Sequence, residues 1–143
     1  MSDERFFVDT SFLLALYNDR DQYHQRALEW NRRVELARQV VLTEAILIEV
    51  GDAFGAVDRA RATRVIESFL RASEAGGVVR IISVDTALLR RGLQRYSSRR
   101  DKDWGLTDCI SFVVMREMGL TDALTADRHF VQAGFRAMLL EKG

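Results

Sequence analysis

The fold is decided near the start of the chain, by the stretch Arg5-Phe6-Phe7-Val8-Asp9-Thr10-Ser11. Its first four residues form a short apolar run that is rich in strand-forming side chains, and Asp9-Thr10-Ser11 ends that run. An apolar helical segment, Phe12 to Tyr17, follows at once. A continuous apolar strand that leads directly into a helix is typical of a parallel strand that is buried on both faces.

The same unit of a short strand followed by a helix recurs along the chain. Further strands are predicted at Val40-Val41-Leu42, Val78 to Ile82, Asp122-Ala123-Leu124 and Phe135 to Leu140. Helices are predicted between them, at roughly 22–38, 43–55, 59–75, 86–98 and 107–118. This alternation predicts an α/β fold, in which helices cover both faces of a central, mostly parallel sheet of about five strands.

The composition is that of one globular domain, and it excludes several classes of protein. The 143 residues carry 21 basic and 21 acidic side chains, so the formal net charge is zero. A single Cys excludes an intrachain disulfide and a multi-Cys zinc site. The longest apolar run is far shorter than the ~20 residues of a membrane span, and the acidic N-terminus lacks the basic start of a signal peptide. We therefore expect a single domain, 1–143, that is cytoplasmic and has no membrane partner.

Four acidic residues are candidates for a catalytic and metal-binding site. Asp9 and Asp127 follow predicted strands, whereas Glu49 and Asp108 lie on helices that flank the sheet. Each has a purely structural alternative, because an Asp can cap or start a helix and a Glu can form a salt bridge at the rim of a buried face. However, ligands of parallel α/β sheets bind beyond the carboxyl ends of the strands. If the four acids meet there, the site is strongly anionic.

Such an anionic site predicts a divalent cation. Two carboxylates about 4 Å apart repel by about 4 kcal/mol at an effective dielectric constant of 20, so the cluster needs a cation or raised pKa values. Oxygen-only ligands favour Mg²⁺ or Mn²⁺ over zinc. An ion held in this way normally serves phosphate chemistry, because it orients a phosphodiester and lowers the pKa of a bound water.

A basic strip precedes the third of these acids. Between positions 90 and 102 lie Arg90, Arg91, Arg95, Arg99, Arg100 and Lys102, opposed only by Asp101. Three of the arginines repeat every four residues and therefore share one face of a helix. This Arg90–Lys102 strip is either a solvated helix face or a surface that contacts phosphates and leads toward Asp103 and Asp108.

The remaining polar and aromatic candidates are interpreted as structural. Asp85 is predicted to cap a helix rather than to bind a metal. His24 and His129 are too far apart in the chain for a persuasive zinc pair, and His129 is assigned to packing or to support of the acidic site. Cys109 has no His partner in view, so a nucleophilic role is not favoured. Trp104 is assigned to the core or to an interface.

The motifs around the four acids resemble those of the PIN domain family. They are Phe7-Val8-Asp9-Thr10-Ser11, Glu49 on the next long helix, Leu106-Thr107-Asp108-Cys109-Ile110-Ser111 and Leu124-Thr125-Ala126-Asp127-Arg128-His129-Phe130. The resemblance covers essentially the whole chain in order and spacing. The size is similar to that of the VapC-type toxins of bacterial and archaeal toxin–antitoxin pairs.

The resemblance implies a three-layer α/β/α fold and a metal-dependent ribonuclease. Asp9, Asp108 and Asp127 match the acids that hold the metal in the family. Glu49 matches a helical Glu that binds a second ion or orients the attacking water. The implied reaction is the cleavage of an RNA phosphodiester bond by metal-activated water, with Mg²⁺ or Mn²⁺ as the cofactor and with 5′-phosphate and 3′-hydroxyl ends on the products.

The resemblance also assigns supporting roles to several neighbours of the acids. Ser11 and Thr125 match hydroxyl positions that support the metal site or its water. Asp103 lies close in sequence to Asp108 and is expected near the site. Gly105 departs from the Ser of the family pattern, which removes one polar contact without implying a loss of activity.

The partners and the rival functions follow from the same resemblance. It implies an RNA substrate, a homodimer and a cognate antitoxin whose tail blocks the acidic site. A phosphatase with an aspartate nucleophile would need a second Asp where Ser11 stands. A PIN-type nuclease that acts in RNA processing or on DNA remains open, whereas a catalytically silent binding module should lack one or more of the four acids.

Overall fold

A five-stranded, fully parallel sheet forms the centre of the molecule in the computed structural model, which describes residues 2–141. The strands are β1 (Arg5–Val8), β2 (Gln39–Thr43), β3 (Val79–Ile82), β4 (Asp122–Leu124) and β5 (Arg136–Ala137). Their order across the sheet is β3-β2-β1-β4-β5, and each neighbouring pair is parallel. The two boundary positions of the predicted domain, 1 and 143, lie outside the described residues.

Helices flank the sheet on both sides and complete the predicted three-layer α/β/α fold. They are α1 (Thr10–Tyr17), α2 (His24–Val34), α3 (Glu44–Gly55), α4 (Arg59–Glu74), α5 (Thr86–Ser98), α6 (Leu106–Glu117) and α7 (Arg128–Gln132). Helices α5 and α6 pack against each other as a hairpin. In the part of the chain that the structure describes, none of these helices is long and apolar enough to cross a membrane.

The central position of β1 explains its apolar sequence. Phe6 and Phe7 are fully buried. Phe7 pairs with Val41 of β2 on one side and with Ala123 of β4 on the other. A strand with a parallel partner on each side, in a sheet covered by helices, has no face open to water. The prediction of a strand buried on both faces is confirmed, and its carboxyl end is fixed in the middle of the sheet.

Two predicted elements are shorter than the sequence suggested. The predicted strand Phe135 to Leu140 is a strand only at Arg136–Ala137, and Met138–Leu140 form a single 3₁₀ turn. Within this turn the backbone N–H of Leu139 donates to the carbonyl of Thr125, and that of Glu141 donates to the carbonyl of Met138. The helix predicted at 22–38 spans only α2, and the chain then turns toward β2.

Candidate active site

Asp9 lies at the carboxyl end of β1 and is buried, with 6 % of its surface exposed. Its backbone N–H donates to the carbonyl of Leu124 at 3.1 Å, which ties the end of β1 to the end of β4. Asp9 occupies the N-cap position of α1, but its side chain forms no capping hydrogen bond. Helix capping therefore does not account for this carboxylate.

Two hydroxyl groups orient the Asp9 carboxylate instead. The hydroxyl of Thr125 donates to Asp9 Oδ2 at 2.7 Å, and that of Ser11 lies 3.1 Å from the same oxygen. Thr125 Oγ1 also accepts the backbone N–H of Asp127 at 3.0 Å, while Ser11 Oγ accepts that of Ala126. The network fastens the loop after β4 onto the end of β1, so Asp127 is held beside Asp9.

Asp108 and Asp127 meet at the starts of two helices. Asp108 lies in the first turn of α6, where its Oδ2 accepts the backbone N–H of Gly105 at 3.2 Å. Asp127 caps α7 by accepting the backbone N–H of His129 at 2.9 Å. Each of these hydrogen bonds to a helix start involves only one oxygen of its carboxylate, so both carboxylates can still bind a further partner. One ligand atom from each of Asp108, Asp127 and His129 lies within 4.8 Å of the other two.

His129 contacts more of the acidic cluster than the sequence suggested. Its Nδ1 lies 3.2 Å from Asp108 Oδ2 and 3.1 Å from Asp127 Oδ1, and its Nε2 lies 3.1 Å from Asp103 Oδ1. Burial opposes protonation of the ring, but the charges of Asp127, Asp108 and Asp103 outweigh it and raise the pKa of His129. One feature of the sequence could have predicted these contacts: His129 follows Asp127 by two residues, at the start of a short helix that Asp127 caps.

Burial and mutual repulsion oppose the ionisation of two carboxylates in the cluster. Burial raises the pKa of Asp9 to about 6, the Thr125 hydrogen bond opposes this rise, and the nearby charges of Asp108 and Asp127 add to it. Burial and then the charge of Asp127 also raise the pKa of Asp108, although His129 counteracts part of this effect. A site in which carboxylates resist ionisation is suited to an added cation.

Glu49 lies farther out, on the exposed side of α3. Its Oε1 accepts a hydrogen bond from the hydroxyl of Thr10 at 2.6 Å. It is not part of the close ligand group, but it lines the same cavity of about 610 Å³ as Asp9, Asp108 and Asp127. Asp52 lines this cavity as well, one turn after Glu49 on α3, although no motif in the sequence marks it as a site residue.

The Arg90–Lys102 strip is not a row of free cations. Arg91 forms an ion pair with Glu117 of α6 at 2.8 Å, and Arg99 pairs with Asp101 at 3.0 Å. The guanidinium of Arg95 lies over the ring of Trp104, 5.4 Å from its centroid. Much of the shared face of the strip is therefore turned onto α6 and the loop before it.

The residues that were interpreted as structural occupy such positions. Asp85 caps α5 by accepting the backbone N–H of Leu88. Trp104 is buried and donates from its indole N–H to Gln132. Cys109 is buried, and burial raises the pKa of its thiol, which opposes a nucleophilic role.

Comparison with known proteins connects this arrangement to one family. The family model for the PIN domain matches residues 6–136. No match was found among curated proteins. Among solved structures, the toxin VapC20 of Mycobacterium tuberculosis, described as cleaving the sarcin–ricin loop, is 27% identical with a TM-score of 0.77. The match covers 92% of this chain and 96% of that one.

Two further solved structures share the fold at lower identity. FitAcB of Neisseria gonorrhoeae is 19% identical, with a TM-score of 0.63 over 92% of this chain and 94% of that chain. VapBC-1 of nontypeable Haemophilus influenzae is 14% identical, with a TM-score of 0.60 over 94% of this chain and 98% of that chain. At these identities the likeness concerns the arrangement of helices and strands.

Proposed function

The chain belongs to the PIN domain family, and from that premise we propose that it is a Mg²⁺- or Mn²⁺-dependent endoribonuclease, the toxin of a toxin–antitoxin pair. The observation that carries the proposal is the convergence of Asp9, Asp108 and Asp127 on one cavity at the carboxyl end of the sheet. The three residues come from the position directly after β1, the start of α6 and the loop after β4. Together they supply the carboxylate ligands that a metal-dependent phosphodiesterase site requires.

The chemistry of these residues fits a hard divalent cation. Asp9, Asp108 and Asp127 offer carboxylate oxygens, and burial, together with the charges of Asp108 and Asp127, raises the pKa of Asp9, so a cation would favour its ionised form. We assign these three residues as ligands and Glu49 as the fourth acid of the site. When bound, the ion lowers the pKa of a water molecule and stabilises the leaving oxygen of a phosphodiester.

The surrounding side chains hold the carboxylates in place before a substrate arrives. Ser11 and Thr125 both lie within hydrogen-bond distance of Asp9 Oδ2, which limits rotation of that carboxyl. The backbone N–H of Gly105 holds Asp108, and the hydroxyl of Thr10 holds Glu49. Fixed carboxylates lose little freedom when they bind a charged ligand, and this preorganisation supports catalysis.

The proposed partners follow from the relatives. The description of VapC20 as a sarcin–ricin loop cleaving toxin makes a structured RNA loop the first substrate to test. The VapBC structures among the relatives support a cognate antitoxin as a partner, and we also propose that the toxin acts as a homodimer. We further propose that 1–143 is one domain, acting in the cytoplasm where its RNA substrate lies.

The proposal is tested by cleavage of an RNA stem-loop with the sarcin–ricin sequence. We expect cleavage by the wild-type protein with Mg²⁺ or Mn²⁺, and none in EDTA or with Asp9→Asn, which removes one ligand charge. Asp85→Asn is the matched control, because Asp85 caps α5 and does not line the cavity. An undiminished rate in Asp9→Asn would overturn the assignment of the site.

The same experiment separates the rival functions. A DNA oligonucleotide of the same sequence and a tRNA are included as alternative substrates. Cleavage of the DNA alone would assign a DNA nuclease. Binding of RNA without cleavage under every metal condition would assign a silent binding module.

A further inference from the structure

A basic groove between α5 and α6 lies outside the acidic cavity. Its volume is about 430 Å³, and its lining includes Arg91, Arg95 and Arg116. The neutral polar side chains of Gln94 and Ser98 line it as well. Three arginine residues therefore line one concave surface on the side of the α5–α6 hairpin.

Only one of these three cations is paired with an acid among residues 2–141. Arg91 binds Glu117 through two contacts, of 2.8 and 3.1 Å. Neither Arg95 nor Arg116 forms an ion pair with a described residue. Arg116 donates a long hydrogen bond, 3.4 Å, to the carbonyl of Ala133. With one acid against three bases, the groove carries an excess of positive charge.

Arg95 is the least satisfied of the three. Its Nε is buried and has no hydrogen-bond partner among the described residues. Its guanidinium lies 5.4 Å from the centroid of Trp104 and 5.6 Å from that of Phe112. Burial lowers the pKa of Arg95, and the charge of Arg116 lowers it further. Among the described residues, no acid pairs with this partly buried guanidinium, and an anion bound to the guanidinium would offset the free-energy cost of its unpaired charge.

We propose that this α5–α6 groove binds a backbone phosphate of the RNA strand, at a nucleotide other than the one that is cleaved, with Arg95 and Arg116 as the binding residues. The identity of the ligand rests on the proposed ribonuclease function. The planar fork of a guanidinium group matches the oxygens of a phosphate. A second phosphate contact of this kind sets the register of the strand without reading its bases.

The position of the groove favours RNA over other anions. Asp108 lies in the first turn of α6, and Arg116 lies eight residues later on the same helix, about 12 Å along its axis. Trp104 bridges the two regions, because Arg95 stacks on it and the adjacent Asp103 contacts His129. A few nucleotides of one strand can therefore reach from the acidic cavity to the groove.

The test measures binding to RNA separately from cleavage. All variants carry Asp9→Asn so that the RNA remains intact, and a fluorescent RNA stem-loop is titrated at several salt concentrations. For Arg95→Gln/Arg116→Gln we expect about tenfold weaker binding, as the loss of charge-assisted hydrogen bonds implies. The slope of log Kd against log salt should fall by about 0.7 for one lost phosphate contact on a single strand.

Matched variants separate a local contact from a change in total charge. Arg32→Gln/Arg38→Gln removes the same charge from exposed positions, and Arg38 directly precedes β2 at the opposite end of the sheet. This control should bind RNA like its Asp9→Asn parent. Arg116→Gln alone, at an exposed position, provides the test if loss of the Arg95 packing prevents folding. Arg95→Lys/Arg116→Lys should keep the salt slope, since both charges remain.

The outcomes distinguish this proposal from the proposed function. If Arg95→Gln/Arg116→Gln, hereafter the groove variant, binds RNA more weakly and Arg32→Gln/Arg38→Gln does not, the result supports phosphate binding in the groove. This holds even if the wild-type protein cleaves no RNA. Equal weakening in Arg95→Gln/Arg116→Gln and in Arg32→Gln/Arg38→Gln, or unchanged binding in Arg95→Gln/Arg116→Gln, overturns it even if cleavage is observed. Titrations with inorganic phosphate and with an oligoglutamate peptide accompany the RNA. A groove variant that loses affinity for one of these but binds RNA normally also overturns the proposal.

Discussion

At the scale of single residues, the buried carboxyl of Asp9 controls how the molecule responds to pH. Its pKa rises from 3.8 to about 6 in the folded protein. The folded state therefore holds this proton more tightly than the unfolded chain does. The metal-free protein should lose stability as the pH rises between these two values, by about 3 kcal/mol in total from this one group.

The variant Asp9→Asn isolates this effect. In buffer with a chelator at pH 7, we expect it to increase the free energy of unfolding by up to about 3 kcal/mol, because the amide cannot ionise. At pH 4, where Asp9 is already protonated in the folded state, the variant should change little. Urea unfolding at both pH values measures the difference, and an equal effect at both would contradict the burial argument.

The hydroxyl of Thr125 is expected to matter more than its methyl group. Thr125→Val keeps the shape but removes the donor to Asp9 and the acceptor for the backbone N–H of Asp127. We expect a loss of about 1–3 kcal/mol in stability, because buried polar groups remain unpaired. In the wild-type protein the hydrogen bond from Thr125 lowers the pKa of Asp9. Its removal should therefore raise the pKa of Asp9 and move the pH profile of cleavage to higher pH.

Thr125→Ser is the control for this substitution. It keeps the hydroxyl and should retain both the pH profile and most of the activity. A Val variant that cleaves RNA with the wild-type pH profile would show that the hydroxyl does not act through Asp9.

At the scale of elements, close packing of α5 on α6 depends on Gly92. A Cβ atom at this position would lie 2.6 Å from Ile110 Cγ1 and 3.4 Å from the Ile110 backbone. Gly92→Ala should therefore destabilise the protein by about 1–3 kcal/mol through overpacking, despite the better helix propensity of Ala.

Gly55→Ala provides the matched comparison. Gly55 is also helical, at the end of α3, and nothing lies within 4 Å of an added Cβ. This variant should be neutral or slightly stabilising, by no more than about 1 kcal/mol. Thermal unfolding of both variants measures the contrast, and similar melting temperatures would contradict the packing argument.

Elements whose own residues form a recognisable pattern could be predicted from the sequence. Elements whose limits depend on hydrogen bonds to residues far away in the chain could not. The sequence of β1 predicts a buried central strand because Phe6, Phe7 and Val8 are consecutive apolar residues. By contrast, β5 has only two residues, and the N–H of Arg136 bonds the carbonyl of Thr121 across the sheet edge. No local pattern shows where such a short pairing stops.

The same limit applies to the candidate site. The position of Asp9 after a buried strand was enough to place it at the sheet's carboxyl end. The contact of His129 with Asp103 joins residues 26 positions apart, and spacing alone does not reveal it. Likewise, the four-residue repeat in the basic strip predicted a shared helix face but not that Glu117 of α6 would pair with Arg91.

At the scale of the whole molecule, a bound cation should stabilise the complete fold. The proposed ligands come from β1, α6 and the loop after β4, so unfolding of any of these segments destroys the site. Mn²⁺ at about 100 times its dissociation constant should add about 2.7 kcal/mol to the stability of the wild-type protein. Thermal unfolding with and without Mn²⁺ measures this gain.

Asp108→Asn should show much less of this stabilisation, because it removes a proposed ligand charge, whereas Asp85→Asn should show all of it. An equal gain in both variants would place the bound ion elsewhere on the protein.

The sheet order has a consequence for the synthesis of the chain. β1 is made first, but one of its two partners, β4, begins only at Asp122, after β2, β3 and the helices α1 to α6 have been made. Until then, Asp9 lacks the Thr125 hydroxyl and the Asp127 carboxylate beside it. A nascent chain on the ribosome, or a product of premature termination before β4, would therefore lack the complete acidic cluster. The sheet order therefore delays assembly of the acidic cluster until residues 122–127 have been made.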